Sequence, residues 1–66
     1  MRRRELLNKL GQVAKATGTS FEFVREGGDH SVYRINGTNL IIPRHREITE
    51  RTAKSIIKQA QKEAQK

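Results

Sequence analysis

The chain has no cysteine and no tryptophan, a single proline, and only two Phe and one Tyr as aromatic residues. The missing thiols exclude a disulfide framework and a thiolate zinc site. No apolar run approaches the ~20 residues that a membrane-spanning helix needs. Met1-Arg2-Arg3-Arg4-Glu5 leads into an amphipathic pattern and not into the apolar segment of a signal peptide. A soluble protein in a reducing cytoplasm is the expectation. Neither a phosphate-cradling glycine loop nor a nucleophilic triad is present, and two histidines without cysteines or a carboxylate pair at ligand spacing make a poor metal site.

Acidic residues are the other scarcity. Seven Asp and Glu stand against fourteen Lys and Arg, a formal charge of +7 on sixty-six residues. So large an excess favours a polyanionic partner, of which nucleic acid is the commonest. An acidic protein or an anionic membrane surface is read from the same charge. The membrane reading is weakened because neither amphipathic segment carries large aromatic side chains on its apolar face. A chain this short buries only about 60% of its unfolded surface, so a single domain with a thin core is expected. It covers residues 1–66, with a core over about 3–60 and a basic tail over 61–66.

Leu6, Leu7, Leu10, Val13 and Ala14 recur at helical spacing within residues 3–16, and Gly18 follows where a left-handed stop belongs. Residues 20–26 and 30–36 alternate as strands, with Phe21 and Phe23 sharing a face. Asn36-Gly37 is a strong two-residue hairpin signal leading into a third strand that Pro43 closes. Thr49 is placed as a helix N-cap, with Ile48 and Ala53 as a hydrophobic staple. Ala53, Ile56, Ile57, Ala60 and Ala64 then form a stripe opposite Arg51, Lys54, Lys58 and Lys62. The expected fold is α+β: helix-strand-strand-strand-helix, a two-layer sandwich with both helices on one face of a three-stranded antiparallel sheet. The last residues are expected to fray.

The turn Gly27-Gly28-Asp29, whose glycines are expected to supply unusual backbone angles, delivers His30 to the start of the second strand. Period two puts His30 and Arg34 on the face opposite Tyr33 and Ile35. Histidine exchanges a proton near neutral pH. RNA carries its own nucleophile in the 2′-hydroxyl, so a base and a few cations suffice to cleave it without metal or other cofactor. His30 is the candidate catalytic residue, although a surface histidine without chemistry would look the same. His45 and Asp29 are candidate accessories, Asp29 being as readily a plain turn residue. Gly28, Arg34, Arg44 and Arg46 are candidate phosphate contacts, joined by Lys54 and Lys58, whose stripe is equally well read as a solvated helix face. A non-catalytic RNA-binding module and a basic protein with an acidic partner remain open alternatives.

Gly28-Asp29-His30 followed by Tyr33-Arg34, then Leu40-Ile41-Ile42-Pro43 with His45 two residues on, then Thr52 and Ser55-Ile56-Ile57-Lys58-Gln59-Ala60, form a joint pattern. It resembles the HicA (YcfA-like) toxins of bacterial type II toxin–antitoxin modules. The resemblance implies an mRNA interferase, an endoribonuclease with a double-stranded-RNA-binding-domain-like fold whose catalytic histidine matches His30. It also implies a HicB-type antitoxin that covers the His30 face. Members of the family most often carry Gly-Ser-His, so Asp29 is a departure that sets a carboxylate where phosphate should approach.

Overall fold

Leu6, Leu10 and Ala14 form the buried stripe of helix α1 (Arg3–Thr17) in the computed structural model, which describes residues 1–65. Lys66, the end of the expected tail, lies outside the described residues. The helix stops as its sequence predicts. Gly18 adopts a left-handed φ of 72°, and the amides of Gly18 and Thr19 turn back to the carbonyls of Lys15 and Ala14.

Strands β1 (Phe21–Glu26), β2 (His30–Ile35) and β3 (Thr38–Pro43) form an antiparallel meander in the order β1-β2-β3. The β2–β3 hairpin turns on Asn36 and Gly37, at φ 48° and 82°. Two successive positive φ values are the mark of a hairpin turn whose twist matches the strands. Ser31, Ile35, Leu40 and Ile42 are buried together on the face that receives the helices, and Tyr33 is half-buried among them. The ring of Tyr33 stacks on Phe21 at 4.9 Å and meets Phe23 edge-on at 5.4 Å.

β1 and β2 do not pair evenly. Phe23 pairs with Tyr33 but Arg25 pairs with Val32, so Val24 is the extra residue of a bulge. Alternation without a bulge would put Glu26 opposite the Phe21/Phe23 face. The bulge shifts the phase by one residue, and Glu26 joins Ser31 on the helix side.

Helix α2 (Glu50–Ala64) starts at the predicted cap, where the Thr49 side chain accepts from the Thr52 amide. Ile48 and Ala53 are both buried, as a staple requires. The expected fraying of the C-terminal segment does not extend to residues 61–64. Ala64 is buried against the core, the Glu63 carboxylate accepts from Thr38 Oγ1 at 2.9 Å, and the Glu63 carbonyl accepts from Asn36 Nδ2 at 2.9 Å. These contacts fasten the last turn to the β2–β3 hairpin, which composition alone does not disclose. At the other end, the connector after β3 pairs with the start of the chain: Arg3 N–H donates to the Arg46 carbonyl and Ile48 N–H to the Met1 carbonyl. No helix among the described residues is long and apolar enough to cross a membrane.

Candidate functional site

Both helices cover the face that carries Ser31 and Ile35, so the opposite face of the sheet is left uncovered. His30 opens β2 on that uncovered face. It is exposed and pairs with Pro43 of β3. Its carbonyl accepts from Gly27 N–H at 2.7 Å, and the Asp29 carbonyl accepts from Arg44 N–H at 3.1 Å. The turn is thereby stitched to the end of β3, and the imidazole stands at the rim where the two strands meet.

The two glycines of this turn differ in what they need. Neither has positive φ, which corrects the expectation that they supply unusual backbone angles. Gly27 is favoured by a close approach, since a Cβ there would sit 3.1 Å from the His30 carbonyl oxygen, tighter than an ordinary van der Waals contact. Gly28 is not required by the fold at all: a Cβ there would meet nothing within 4 Å.

Arg44 contacts this turn through both its backbone and its side chain. Its Nε forms an ion pair with Glu26 Oε2 at 3.0 Å and its Nη1 donates to the Gly28 carbonyl at 3.5 Å. Both members of the ion pair are about half-exposed, and an exposed pair is worth at most about 1 kcal/mol. Its importance is therefore geometric: it fixes where the guanidinium stands. His45 follows Arg44, exposed, two residues beyond the strand partner of His30.

Arg46 goes elsewhere. With Arg2, Arg3, Arg4, Glu5 and Glu47 it lines a cleft of ≈ 510 Å³ at the start of α1. The connector cluster thus splits in two, Arg44 serving the turn and Arg46 the cleft. Arg3, on the floor between them, is already engaged: Nε donates to the Pro43 carbonyl at 3.1 Å and Nη2 to Ser31 Oγ at 2.7 Å.

Arg34 shares the face of His30 but not its neighbourhood. Four residues along a strand is about 13 Å, at about 3.3 Å per residue, and Arg34 Nε donates to Asn39 Oδ1 at 3.2 Å across the β2–β3 pair. Lys54 and Lys58 are exposed on α2, in the layer behind the sheet. The structure therefore gathers Gly28, Asp29, His30, Arg44 and His45 at one end, with Arg46 alongside, and leaves Arg34, Lys54 and Lys58 apart. Among the described residues no three His, Cys, Asp or Glu side chains converge as metal ligands.

Two residues at this end were not singled out by sequence: Glu26 and Ser31. Ser31 offered a signal, since a serine in phase with Tyr33 and Ile35 must be buried, and a buried hydroxyl needs partners. Glu26 offered none, because its orientation depends on the bulge.

The domain is small, basic and α+β, and it exposes a histidine and an arginine at one end of an uncovered sheet face. The sequence matches the family described as HicA toxin of bacterial toxin-antitoxin over residues 5–62, nearly its whole length, and the chain belongs to that family. It is the toxin component of a toxin–antitoxin module, and an antitoxin partner is implied. No curated protein and no solved structure matches the chain.

Proposed function

We propose that this toxin is a metal-independent endoribonuclease that cleaves mRNA in the cytoplasm with His30 as its catalytic residue. His30 takes the proton of a 2′-hydroxyl, the freed oxygen attacks the adjacent phosphorus, and the 5′-oxygen leaves with a proton, giving a 2′,3′-cyclic phosphate end. Run as general acid, the same imidazole would serve the leaving oxygen, and His45 is the candidate for the complementary role. Arg44 neutralises charge gained at the phosphoryl oxygens. Gly28 lets the phosphate come close to the backbone. Arg46 takes a neighbouring phosphate at the arginine-lined cleft, whereas Arg34 meets the strand farther along the sheet, and Lys54 and Lys58 add long-range attraction from the second layer.

The observation that carries this reading is the exposed His30 at the end of the uncovered sheet face, with the Arg44 guanidinium bound to the same turn. A HicB-type antitoxin would close that face. Ile41, which is 53% exposed and pairs with Val32 one step from His30 on the same side, gives such a cover an apolar contact.

The test is cleavage of an end-labelled single-stranded RNA in EDTA by the wild type and by His30→Ala, both checked for folding by circular dichroism. Cleavage with cyclic-phosphate ends, lost in the folded variant, is expected. Binding of RNA by both proteins without cleavage by either would make the chain a non-catalytic RNA-binding module and return His30 to a surface role.

A further inference from the structure

Ser31 is the only buried polar side chain among the described residues, at 0% exposure. Its hydroxyl donates to Glu26 Oε1 at 3.0 Å and accepts from Arg3 Nη2 at 2.7 Å. Glu26 uses its other oxygen for Arg44 Nε, and Arg3 uses Nε for the Pro43 carbonyl. A continuous chain therefore runs Pro43, Arg3, Ser31, Glu26, Arg44, drawing on α1, β1, β2 and the end of β3. It exists because the bulge at Val24 turns Glu26 toward Ser31.

A guanidinium presents five N–H donors in a rigid fork. Glu26 pairs with Nε of Arg44 and the Gly28 carbonyl accepts from Nη1, which leaves the second Nη1 donor and both Nη2 donors outside these two contacts on a half-exposed side chain. An arginine held along one edge loses less rotamer freedom when it meets a phosphate than one that waves in solvent. We propose that Glu26 is a positioning residue: anchored by the buried Ser31 hydroxyl and by Arg3, it presents the open edge of Arg44 to an RNA phosphate at the His30 turn. This rests on the RNA-cleaving reading given above.

The proposal makes a prediction opposite to that of bare charge. Removing a carboxylate from a basic surface should tighten the binding of a polyanion, whereas removing a positioning residue should weaken it. The experiment measures affinity for an uncleavable 2′-O-methyl single-stranded RNA across a salt series, for wild type, Glu26→Gln, Glu26→Ala, Arg44→Ala and the double Ala variant. Thermal melts accompany each protein. Glu26→Ala is expected to bind severalfold more weakly than wild type. Glu26→Gln keeps an acceptor for Arg44 Nε and should recover most of that loss. Arg44→Ala should weaken binding and flatten the log–log salt slope by roughly 0.7, the share of one phosphate on a single strand. In the Arg44→Ala background, Glu26→Ala should weaken binding no further, because the two act as a unit.

A wild type that does not bind RNA overturns the proposed function and this inference with it. A wild type that binds, with Glu26→Ala equal or tighter or with losses that add independently of Arg44, overturns the positioning role alone. Should Glu26→Ala fail to fold, Glu26→Gln decides: tighter binding than wild type means the carboxylate merely repels RNA.

Discussion

The two turns that flank β2 are built on different principles. At the Ile35 end, Asn36 and Gly37 both take positive φ, and the Asn36 side chain donates to the Glu63 carbonyl of α2. Each feature of that turn is accounted for by the fold. At the His30 end no residue has positive φ, Gly28 touches nothing that would exclude a side chain, and the turn is held by one backbone bond from Gly27 to His30, one from Arg44 to Asp29, and a half-exposed ion pair. A turn whose residues exceed what the fold requires is where interaction with something else should be sought. One end of the strand closes the structure and the other presents it.

If this contrast is sound, substitutions at the two ends should separate function from stability. The largest effect belongs to His30→Ala. Loss of a positioned proton carrier lowers cleavage about 10²–10⁴-fold. Because the imidazole is exposed, the melting temperature should stay where it is. A variant that melts early and cleaves poorly in proportion would make His30 structural and erase the difference between the ends.

The next pair crosses over. Gly37→Ala forces a side chain into a left-handed conformation and should cost roughly 1–2 kcal/mol of stability, read by chemical denaturation, while cleavage per folded molecule is unchanged. Gly28→Ala should leave stability within about 0.5 kcal/mol, since its Cβ meets open space, yet reduce affinity for uncleavable RNA by crowding the approach of a phosphate. Gly28→Ala with wild-type RNA affinity would remove Gly28 from the site.

The same contrast explains what was legible in the sequence. Amphipathic spacing, Gly18, Asn36-Gly37 and Thr49 are local signals, each with one dominant physical cause, and the elements they predict are present within a residue or so. The face shared by His30 and Arg34 follows from strand periodicity in the same way. What the sequence withheld was non-local. The bulge at Val24 depends on how β1 meets β2, and without it the link from Ser31 through Glu26 to Arg44 cannot be drawn. The division of Arg44 from Arg46 depends on the pairing of the connector with the start of the chain, and the ordering of residues 61–64 depends on Asn36 and Thr38 reaching α2. Charge clusters located the basic residues, but only the fold separates the cation placed at the His30 turn from those in the second layer.

The smallest predicted effect probes the residue in which this turn departs from the family's usual pattern. Asp29 contributes its carbonyl to Arg44 N–H, a backbone role that serine would keep, while the residue itself is exposed and directly precedes His30 in the chain. Exposed charges interact by about 1 kcal/mol at contact in water, and salt screens them over roughly 10 Å at 0.1 M. Asp29→Ser should therefore tighten binding of uncleavable RNA severalfold at low salt, with the gain shrinking as salt is raised and the melting temperature holding steady. The alternative role for Asp29 is to orient the His30 imidazole, and it carries a different signature. In that case Asp29→Ser would lower the rate of cleavage at saturating RNA and leave affinity nearly untouched. Measuring binding and single-turnover cleavage on the same protein separates the two, because repulsion acts on the encounter with phosphate and orientation acts only on the proton transfer that follows.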